Sequence, residues 1–365
     1  MTRALRRARA VAFCRTEPVS GERDRRGVIG QLMALQQSCA GVIPLARFME
    51  EALYHPRLGY YAAAIRDVGK EGDFSTSATL DPCLAESIAD WIRERSASLA
   101  WKTVPVIECG AGSGELARRV LRILDRATRK KIRYTICETS PNLRRIQKRK
   151  LFWKGVRWED SVKSALQRHA GRALLFSNEL VDAFPCRVFQ KEGDGWHELG
   201  VTISSDGSLQ EIPFGNPLRE GWFGTFSGLP EGQRIERHDS HRIWTEAWSP
   251  FWKEGSMLTI DYGDLAPDLY AGRPLGTLRA YWKHRRMDGL QVFARFGLQD
   301  LTADVNFSDL ISHGESLGWR TTGYRTQGEF ISGYGSTKKG QPRESALGDE
   351  ASTAFKVLEQ TVGAD

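Results

Sequence analysis

Three glycines at alternate positions, Gly110, Gly112 and Gly114, are framed by two acidic residues, Glu108 and Glu115. Without a Cβ atom, the backbone of such a loop can turn sharply and lie close to a ligand. A helix that begins directly after the loop offers free N–H groups at its N-terminus. This combination is typical of a loop that binds the polar end of a nucleotide-type ligand.

The residue after the third glycine distinguishes between two ligand classes. Dinucleotide-binding loops have the pattern G-x-G-x-x-G, with the pyrophosphate at the helix N-terminus. Here Glu115 occupies the position of the third glycine in that pattern, and a carboxylate there opposes a pyrophosphate. Glu108 suits a ligand that ends in an amino acid with an ammonium group. S-adenosylmethionine is such a ligand, and we favour it over NAD.

The elements around the glycines predict how these groups are held. An apolar, β-branched run precedes the loop at 104–107 and an amphipathic segment follows at 116–124, which together indicate strand, loop and helix. A second β-rich run, 132–137, ends in Glu138. This is the separation at which βαβ folds place the acid that binds ribose hydroxyls. We therefore predict one donor site that contains both Glu108 and Glu138.

Polar residues also follow later apolar runs. The run 173–177 is followed by Asn178, Glu179 and Asp182, and the run 256–260 is followed by Asp261. In doubly wound sheets, ligands bind at the carboxyl ends of strands. Asn178 and Asp182 can equally cap the start of a helix, and both roles can hold together.

The alternation of strands and helices predicts an α/β fold with a doubly wound sheet. A last strand over 354–360 that pairs antiparallel on a parallel sheet is typical of the methyltransferase class. We expect a disordered or peripheral extension over 1–42 and one domain over 43–365. That domain has an insert around 186–250 and a substrate-side segment around 264–307.

Composition argues against several classes of function. No stretch approaches the roughly 20 apolar residues of a membrane-spanning helix. The scattered cysteines form no C-x-x-C pair, which favours reduced thiols in a cytosol-like compartment over disulfides or zinc. His238 and His241 have a metal-like spacing without a second ligand pair, so we expect exposed histidines and no metal. The net charge of +7 comes with no nucleic-acid recognition module, and we assign it to solvated helix faces.

A series of motifs occurs in the order of one known family between Ile43 and Leu358. They are Gly72–Ser77, Glu108–Gly114, Glu138–Gln147, Asn178–Pro185, Asp261–Gly263, Thr277–Tyr281 with His284, Asp300–Ala303 and Thr326–Gly328. On these residues the chain resembles the MidA-like family, whose mitochondrial members act as an arginine methyltransferase in respiratory complex I assembly. The resemblance implies a class I methyltransferase fold, which is a Rossmann-like doubly wound sheet of seven strands with the last strand antiparallel, here with an N-terminal helical extension and inserted α+β elements. It also implies S-adenosyl-L-methionine as donor, arginine in a protein substrate as acceptor, and a respiratory complex subunit as one candidate partner. It implies a cytoplasmic location for a bacterial chain and the mitochondrial matrix for a eukaryotic one.

The resemblance also implies site residues. It places the donor on Asp73, Ser75, Thr76, Glu108, Gly110, Gly112, Gly114 and Glu138, with Asn178 and Glu179 near the sulfonium. For the acceptor we propose Glu179 and Asp182 as a carboxylate pair that grips two nitrogens of a guanidinium and leaves the third electron-rich. Tyr281 and His284 would position the substrate or accept a proton.

Two departures from the family pattern affect these expectations. Asp304 stands where the family more often has His, which argues against proton transfer at that position. The segment 329–352 is shorter than in the family, which changes a substrate groove or a partner surface. The alternative function is a donor-binding assembly chaperone with little or no turnover, and a less favoured one is an NAD-dependent oxidoreductase.

Overall fold

The computed structural model describes residues 10–11, 25–64, 82–152, 154–283, 285–334, 345 and 348–363. The chain divides into two compact units. The first comprises 1–65, 183–240 and 266–304, and the second comprises 66–182, 241–265 and 305–365, as far as these are described. The single domain over 43–365 stays a prediction. Most of its expected insert and of its substrate-side segment belongs to the first unit.

The strands, in chain order, are β1 (Ala10–Val11), β2 (Ile43–Pro44), β3 (Val104–Cys109), β4 (Ile132–Cys137), β5 (Arg157–Glu159), β6 (Leu174–Asn178), β7 (Arg187–Glu192), β8 (Gly195–Ile203), β9 (Leu209–Leu218), β10 (Arg234–Arg237), β11 (Gly255–Asp264), β12 (Arg279–Trp282), β13 (Arg285–Asp288), β14 (Asp300–Thr302), β15 (Val305–Asn306), β16 (Arg320–Thr326) and β17 (Phe355–Val362).

The α-helices are α1 (Arg25–Ser38), α2 (Leu45–Tyr54), α3 (Pro82–Ser98), α4 (Glu115–Ile123), α5 (Arg126–Lys131), α6 (Pro141–Lys150), α7 (Val162–Gln167), α8 (Asp239–Trp248), α9 (Phe307–Ser316), α10 (Gln327–Gly333) and α11 (Gly348–Ala354). Among the described residues, no helix combines the length and the apolar character needed to cross a membrane.

The second unit is organised around a sheet with the strand order β16–β17–β11–β6–β3–β4–β5. The five strands from β11 to β5 pair in parallel, and β15 adds a short parallel pairing to β11. Strand β17 runs antiparallel to both β11 and β16, so the expected antiparallel last strand is present. Because parallel strands end at the same edge of a sheet, the residues that follow β3, β4, β6 and β11 share that edge.

Both faces of this sheet are covered by apolar side chains, as parallel strands between helices require. Along β3, Val104 and Val106 pack into one cluster with Trp91 of α3. Ile107, which points to the opposite face, packs into a second cluster with Trp252. The carboxyl edge therefore stands on a sheet that is fixed from both sides.

The first unit contains two sheets. Its larger sheet has the order β1–β9–β8–β7–β10, with β2 paired to β8, and a smaller sheet has the order β13–β12–β14. An aromatic cluster stabilises the larger sheet and includes Phe189, Trp196, Phe223, Phe226 and Tyr270.

Helix α1 lies within the range 1–42, where we expected a disordered or peripheral extension; of these two alternatives, disorder does not fit this helix, and a peripheral extension stays a prediction. Val28, Leu32 and Leu35 are buried, and Leu32 has no exposed surface. Their spacing of four and then three residues places them on one face of the helix. The physical signal of an amphipathic helix was therefore present in the sequence, although a high arginine content surrounds it.

Glu359 on β17 ties the sheet of the second unit to α3. Its Oε1 accepts hydrogen bonds from the Trp91 indole at 2.8 Å and from Arg95, and its Oε2 accepts one from Arg325 at 3.2 Å. We expect Glu359→Ala to lower the free energy of unfolding by about 2–3 kcal/mol, because buried donors lose their acceptor. Urea unfolding measures this loss. The control Glu246→Ala removes an exposed ion pair with Arg242 and should lower the free energy of unfolding by less than about 0.5 kcal/mol. An equal loss of unfolding free energy in the two variants would contradict the stabilising role of Glu359.

Candidate active site

The glycine loop has the geometry that its sequence predicts. β3 ends at Cys109 and α4 begins at Glu115, and Gly110, Gly112 and Gly114 all have positive φ, at 69°, 51° and 75°. A Cβ atom on Gly110 would lie 2.7 Å from a methyl group of Leu180, whereas one on Gly112 would meet nothing within 4 Å. The loop is therefore packed on one side and open at Gly112, where a ligand can approach its backbone.

Glu108 is a buried carboxyl group, 2% exposed. Its Oε2 accepts a hydrogen bond from the Tyr134 hydroxyl at 2.9 Å, and no salt bridge reaches it within the described chain. Burial raises the pKa of Glu108 to about 8; the Tyr134 hydrogen bond opposes this rise and the Glu138 charge adds to it. A cationic ligand group would supply the missing charge, and the ammonium group of an amino-acid ligand fits this requirement.

Glu138 follows β4 at the same edge and is 7% exposed. Its two oxygens accept hydrogen bonds from the Ser140 amide at 2.8 Å and from the Gln147 side chain at 3.0 Å. Burial raises the pKa of Glu138, and these hydrogen bonds partly offset the rise. The carboxyl group is thus held in one orientation at the end of its strand.

Gln147 connects the two predicted parts of the donor site, although we assigned it no role from the sequence. Its side-chain N–H group donates to the Gly112 carbonyl at 2.8 Å as well as to Glu138, and its side-chain oxygen accepts from the Trp158 indole at 3.0 Å. The position of Gln147 in helix α6 was the sequence signal that could have identified it. Leu143, Gln147 and Leu151 form a buried stripe at four-residue spacing, and a fully buried amide in a strongly basic helix needs fixed partners.

The Glu115 carboxylate is neutralised within the chain. It accepts hydrogen bonds from Arg118 and Arg119 and lies 3.6 Å from the Lys150 ammonium group. The Arg118 hydrogen bond is the main reason that the pKa of Glu115 falls to about 2. The expectation that this charge repels a pyrophosphate is therefore weakened, and Glu115 no longer separates the two ligand classes.

The end of β6 has an unusual backbone. Glu179 has φ +50°, and its amide donates to the Ile260 carbonyl of β11 at 2.9 Å. The Asn178 side chain donates to the Glu179 carboxylate at 3.0 Å. Asp182, 8% exposed, lies three residues further along the same turn.

Asp261 on β11 belongs to a sequence motif but had no predicted role. It is fully buried, and its Oδ2 accepts from the amides of Leu180, Val181 and Asp182 at 3.2, 2.9 and 3.3 Å. Burial raises the pKa of Asp261 well above its ordinary range, and the charges of Asp182 and Glu179 raise it further. The structure therefore places three carboxyl groups together where β6 ends beside Asp261, which lies within β11 three residues before its last residue, Asp264.

Tyr281, in the first unit, accepts a hydrogen bond from the Arg279 Nε at 3.1 Å. The same Arg279 guanidinium is paired with Asp304, which also pairs with Arg273. Asp304 therefore acts as the anion between two arginines, which gives a physical account of a carboxylate at this position. Both of its carboxylate oxygens are engaged in these ion pairs.

Glu236 was not identified from the sequence, and it orders the segment before Tyr281. It is fully buried and accepts hydrogen bonds from the Thr277 amide at 2.8 Å, the Thr277 hydroxyl at 3.0 Å and the Leu278 amide at 3.2 Å. Burial raises the pKa of Glu236, and the Thr277 and Leu278 hydrogen bonds oppose the rise. Because Glu236 is far from Tyr281 in the sequence, its hydrogen bonds to the segment before Tyr281 could not be predicted.

Several predicted residues lie outside the described part of the chain, namely Asp73, Ser75, Thr76 and His284. The expected exposure of His241 is wrong, since it is 6% exposed. His238 has a buried Nε2, and burial lowers its pKa to about 4. In the described ranges, no group of three or more His, Cys, Asp or Glu side chains is arranged to hold a metal ion.

The raised pKa of Glu108 predicts a pH-dependent stability. The ordinary value is 4.5 and the folded value is about 8, so the folded protein binds the extra proton between these values. The stabilisation from Glu108 is complete below pH 4.5 and is lost as the pH rises towards 8. We expect Glu108→Gln to match the ligand-free parent at pH 5 and to exceed its unfolding free energy at pH 9 by a few kcal/mol, roughly.

Urea unfolding at pH 5, 7 and 9 measures this difference. Glu315→Gln, at an exposed position, controls for the removal of a glutamate charge as such. Parallel pH profiles for the parent and Glu108→Gln would show that Glu108 is not a buried titrating group.

Comparison with known proteins connects this site to a family. A family model for S-adenosyl-L-methionine-dependent methyltransferases matches residues 83–325. The mitochondrial protein arginine methyltransferase NDUFAF7 homolog of Caenorhabditis elegans is 28% identical over 304 residues, which cover 74% of this chain and 68% of that protein. The protein arginine methyltransferase NDUFAF7 of Danio rerio is 27% identical over 309 residues, with coverages of 74% and 68%.

Solved structures agree with this relationship. A Burkholderia thailandensis protein crystallised with S-adenosyl-homocysteine has a TM-score of 0.77 and 26% identity, and the match covers 93% of both chains. A native crystal structure from the same organism has a TM-score of 0.73 and 26% identity, covering 93% of this chain and 92% of the other. The shared fold is a mixed α/β sheet, and the cofactor of this family is S-adenosyl-L-methionine. The chain belongs to the MidA-like family of S-adenosyl-L-methionine-dependent methyltransferases.

Proposed function

We propose that this methyltransferase modifies an arginine in a protein substrate. The observation that supports this acceptor is the group of three carboxyl groups, Glu179 and Asp182 after β6 and Asp261 within the neighbouring strand β11. The charges of Glu179 and Asp182 add to the burial that raises the pKa of Asp261, and a guanidinium would pair with Glu179 and Asp182 in the two-pronged geometry that arginine favours. The names of the relatives, which are protein arginine methyltransferases, support the same acceptor.

For the donor site we propose Glu108, Gly110, Gly112, Gly114, Glu138 and Asn178, together with Asp73, Ser75 and Thr76. Glu108 would pair with the ammonium group of the donor, and Glu138 would accept hydrogen bonds from ribose hydroxyls. When bound, S-adenosyl-L-methionine supplies an electrophilic methyl group on a sulfonium. We also propose that the sheet is of the class I methyltransferase type, which its strand order and antiparallel β17 support.

The acceptor must be both aligned and made nucleophilic. A delocalised guanidinium is a poor nucleophile, and Glu179 and Asp182 would localise its charge on two nitrogens. The third nitrogen is then electron-rich, and its alignment for in-line displacement provides most of the rate enhancement. We assign Tyr281 and His284 to positioning the substrate or accepting the proton.

We propose a protein partner and, as one candidate, a subunit of a respiratory complex. The curated relatives are mitochondrial by name. For a eukaryotic chain this supports the mitochondrial matrix, and for a bacterial chain we propose the cytoplasm. We propose no nucleic-acid partner.

Glu179→Gln tests the acceptor clamp directly. We expect its kcat for methyl transfer to fall by about 10²-fold or more, because a charge that acts on the reacting group is lost. The affinity for S-adenosylhomocysteine should change by less than about twofold. Methyl-label transfer to a cell extract and calorimetry measure these two quantities. Glu246→Gln, at an exposed glutamate of the same unit, is the matched control, and normal turnover in Glu179→Gln would refute the clamp.

The acceptor itself can be found by mass spectrometry of arginine methylation in cells with and without the gene. We expect specific methylarginine sites to disappear in the deletion strain and to return with the parent gene, but not with Glu179→Gln. Donor binding without loss of any methylarginine site would instead support the assembly-chaperone alternative.

A further inference from the structure

Glu179 occupies the left-handed backbone region at φ +50°, which costs a residue with a side chain about 1–3 kcal/mol. Among the described residues, the other non-glycine positions with positive φ are Ala40, Ala170 and Lys283. The two alanines follow helices α1 and α7, and Lys283 follows β12. Glu179 differs because it directly follows a central strand, at the edge that carries the glycine loop. Such strain persists only where the surrounding structure enforces it.

Strand β11 provides that enforcement through two consecutive residues. The Ile260 carbonyl accepts the amide of Glu179 itself at 2.9 Å. The next three amides converge on one oxygen, Oδ2 of Asp261, at distances of 3.2, 2.9 and 3.3 Å. Three successive N–H groups can meet one atom only where the chain turns tightly, so this carboxyl group defines the turn 180–182.

The geometry also explains why an acid occupies position 261. Oδ1 of Asp261 accepts a fourth amide, that of Tyr262, at 2.9 Å. A carboxylate presents acceptors only, whereas an asparagine would turn an NH₂ group towards one of these donors. Four N–H groups on two oxygens therefore favour the ionised carboxylate, and oppose the effect of burial on its pKa. Burial of this charge beside Glu179 and Asp182 is unfavourable, so the turn is maintained at a cost in stability.

We propose that Asp261 is a positioning residue of the acceptor site: by capping the turn 180–182 it holds Glu179 and Asp182 in the orientation that grips the acceptor cation. Asp261 acts through these two side chains and does not itself contact the substrate. The inference rests on the proposed acceptor clamp and adds the element that orders it.

A graded series of variants tests the proposal. Asp261→Asn keeps one acceptor oxygen and Asp261→Ala keeps none. Hydrogen exchange of the amides of 180–182 should be slow in the parent, intermediate in Asp261→Asn and about tenfold or more faster in Asp261→Ala. Methyl-label transfer to a cell extract should fall in the same order, by about 10²-fold in Asp261→Ala, because a small misplacement of reacting groups costs that much. The affinity of both variants for S-adenosylhomocysteine should stay within about twofold of the parent's affinity.

Asp264→Ala is the matched control. Asp264 lies three residues further along β11 and is paired with Lys356 at 3.0 Å, and we expect normal exchange at 180–182 and normal transfer in this variant. If Asp261→Ala does not fold, the exchange rates and the methyl transfer of Asp261→Asn are compared with those of the parent instead.

Three results would overturn the proposal. The first is unchanged exchange at 180–182, the second is fast exchange with normal transfer, and the third is a loss of transfer matched by an equal loss of donor affinity. A wrong arginine assignment would give a different result. Hydrogen exchange and donor affinity are measured without an acceptor, and the transferred methyl label is counted on any type of residue. Label on residues other than arginine would refute the arginine acceptor while leaving the role of Asp261 intact.

Discussion

The parallel pairing of β3, β6 and β11 is the constraint on which the site depends. Residues far apart in the sequence are in register across these strands, Cys109 opposite Ser177 and Ile260 opposite Asn178. Because parallel strands end at one edge, this register brings the glycine loop, the strained turn and Asp261 to that edge. Neither the loop nor the turn has this geometry alone: a methyl group of Leu180 from the turn packs against Gly110, and the amides of the turn require the end of β11.

Buried acids dominate the electrostatics of this edge. Burial raises the pKa of Glu108, Glu138 and Asp261, and the hydrogen bonds that hold these groups offset only part of the effect. Such groups are costly in the ligand-free protein and become favourable when a cation arrives. The donor brings an ammonium group and the proposed acceptor brings a guanidinium. In the proposed function, the site would exchange stability in the free protein for selectivity towards two positively charged ligands.

The sequence was informative where local patterns determine structure. The strand, glycine loop and helix at 104–124, the acid after β4 and the polar ends of β6 and β11 follow from short-range periodicity and from rules for parallel sheets. The partners of these groups did not follow, because they come from distant strands and helices. Tyr134 and Glu236 act through contacts that no spacing rule encodes, and for Gln147 the four-residue spacing indicates burial but not its partners. For Glu115, the sequence led us to overestimate the effect of a charge, since the three cations that neutralise it come from other positions.

The structure gives a physical account of Asp304, at the position where the resemblance led us to expect a histidine. Its carboxylate is a negative charge in a buried position, and two arginines, Arg273 and Arg279, compensate for it. Arg279 also donates to the Tyr281 hydroxyl, so Asp304 is coupled through one guanidinium to a residue that we assign to the acceptor. Both oxygens of Asp304 are engaged in ion pairs. The proposed role of positioning the substrate or accepting a proton therefore stays with Tyr281 and His284.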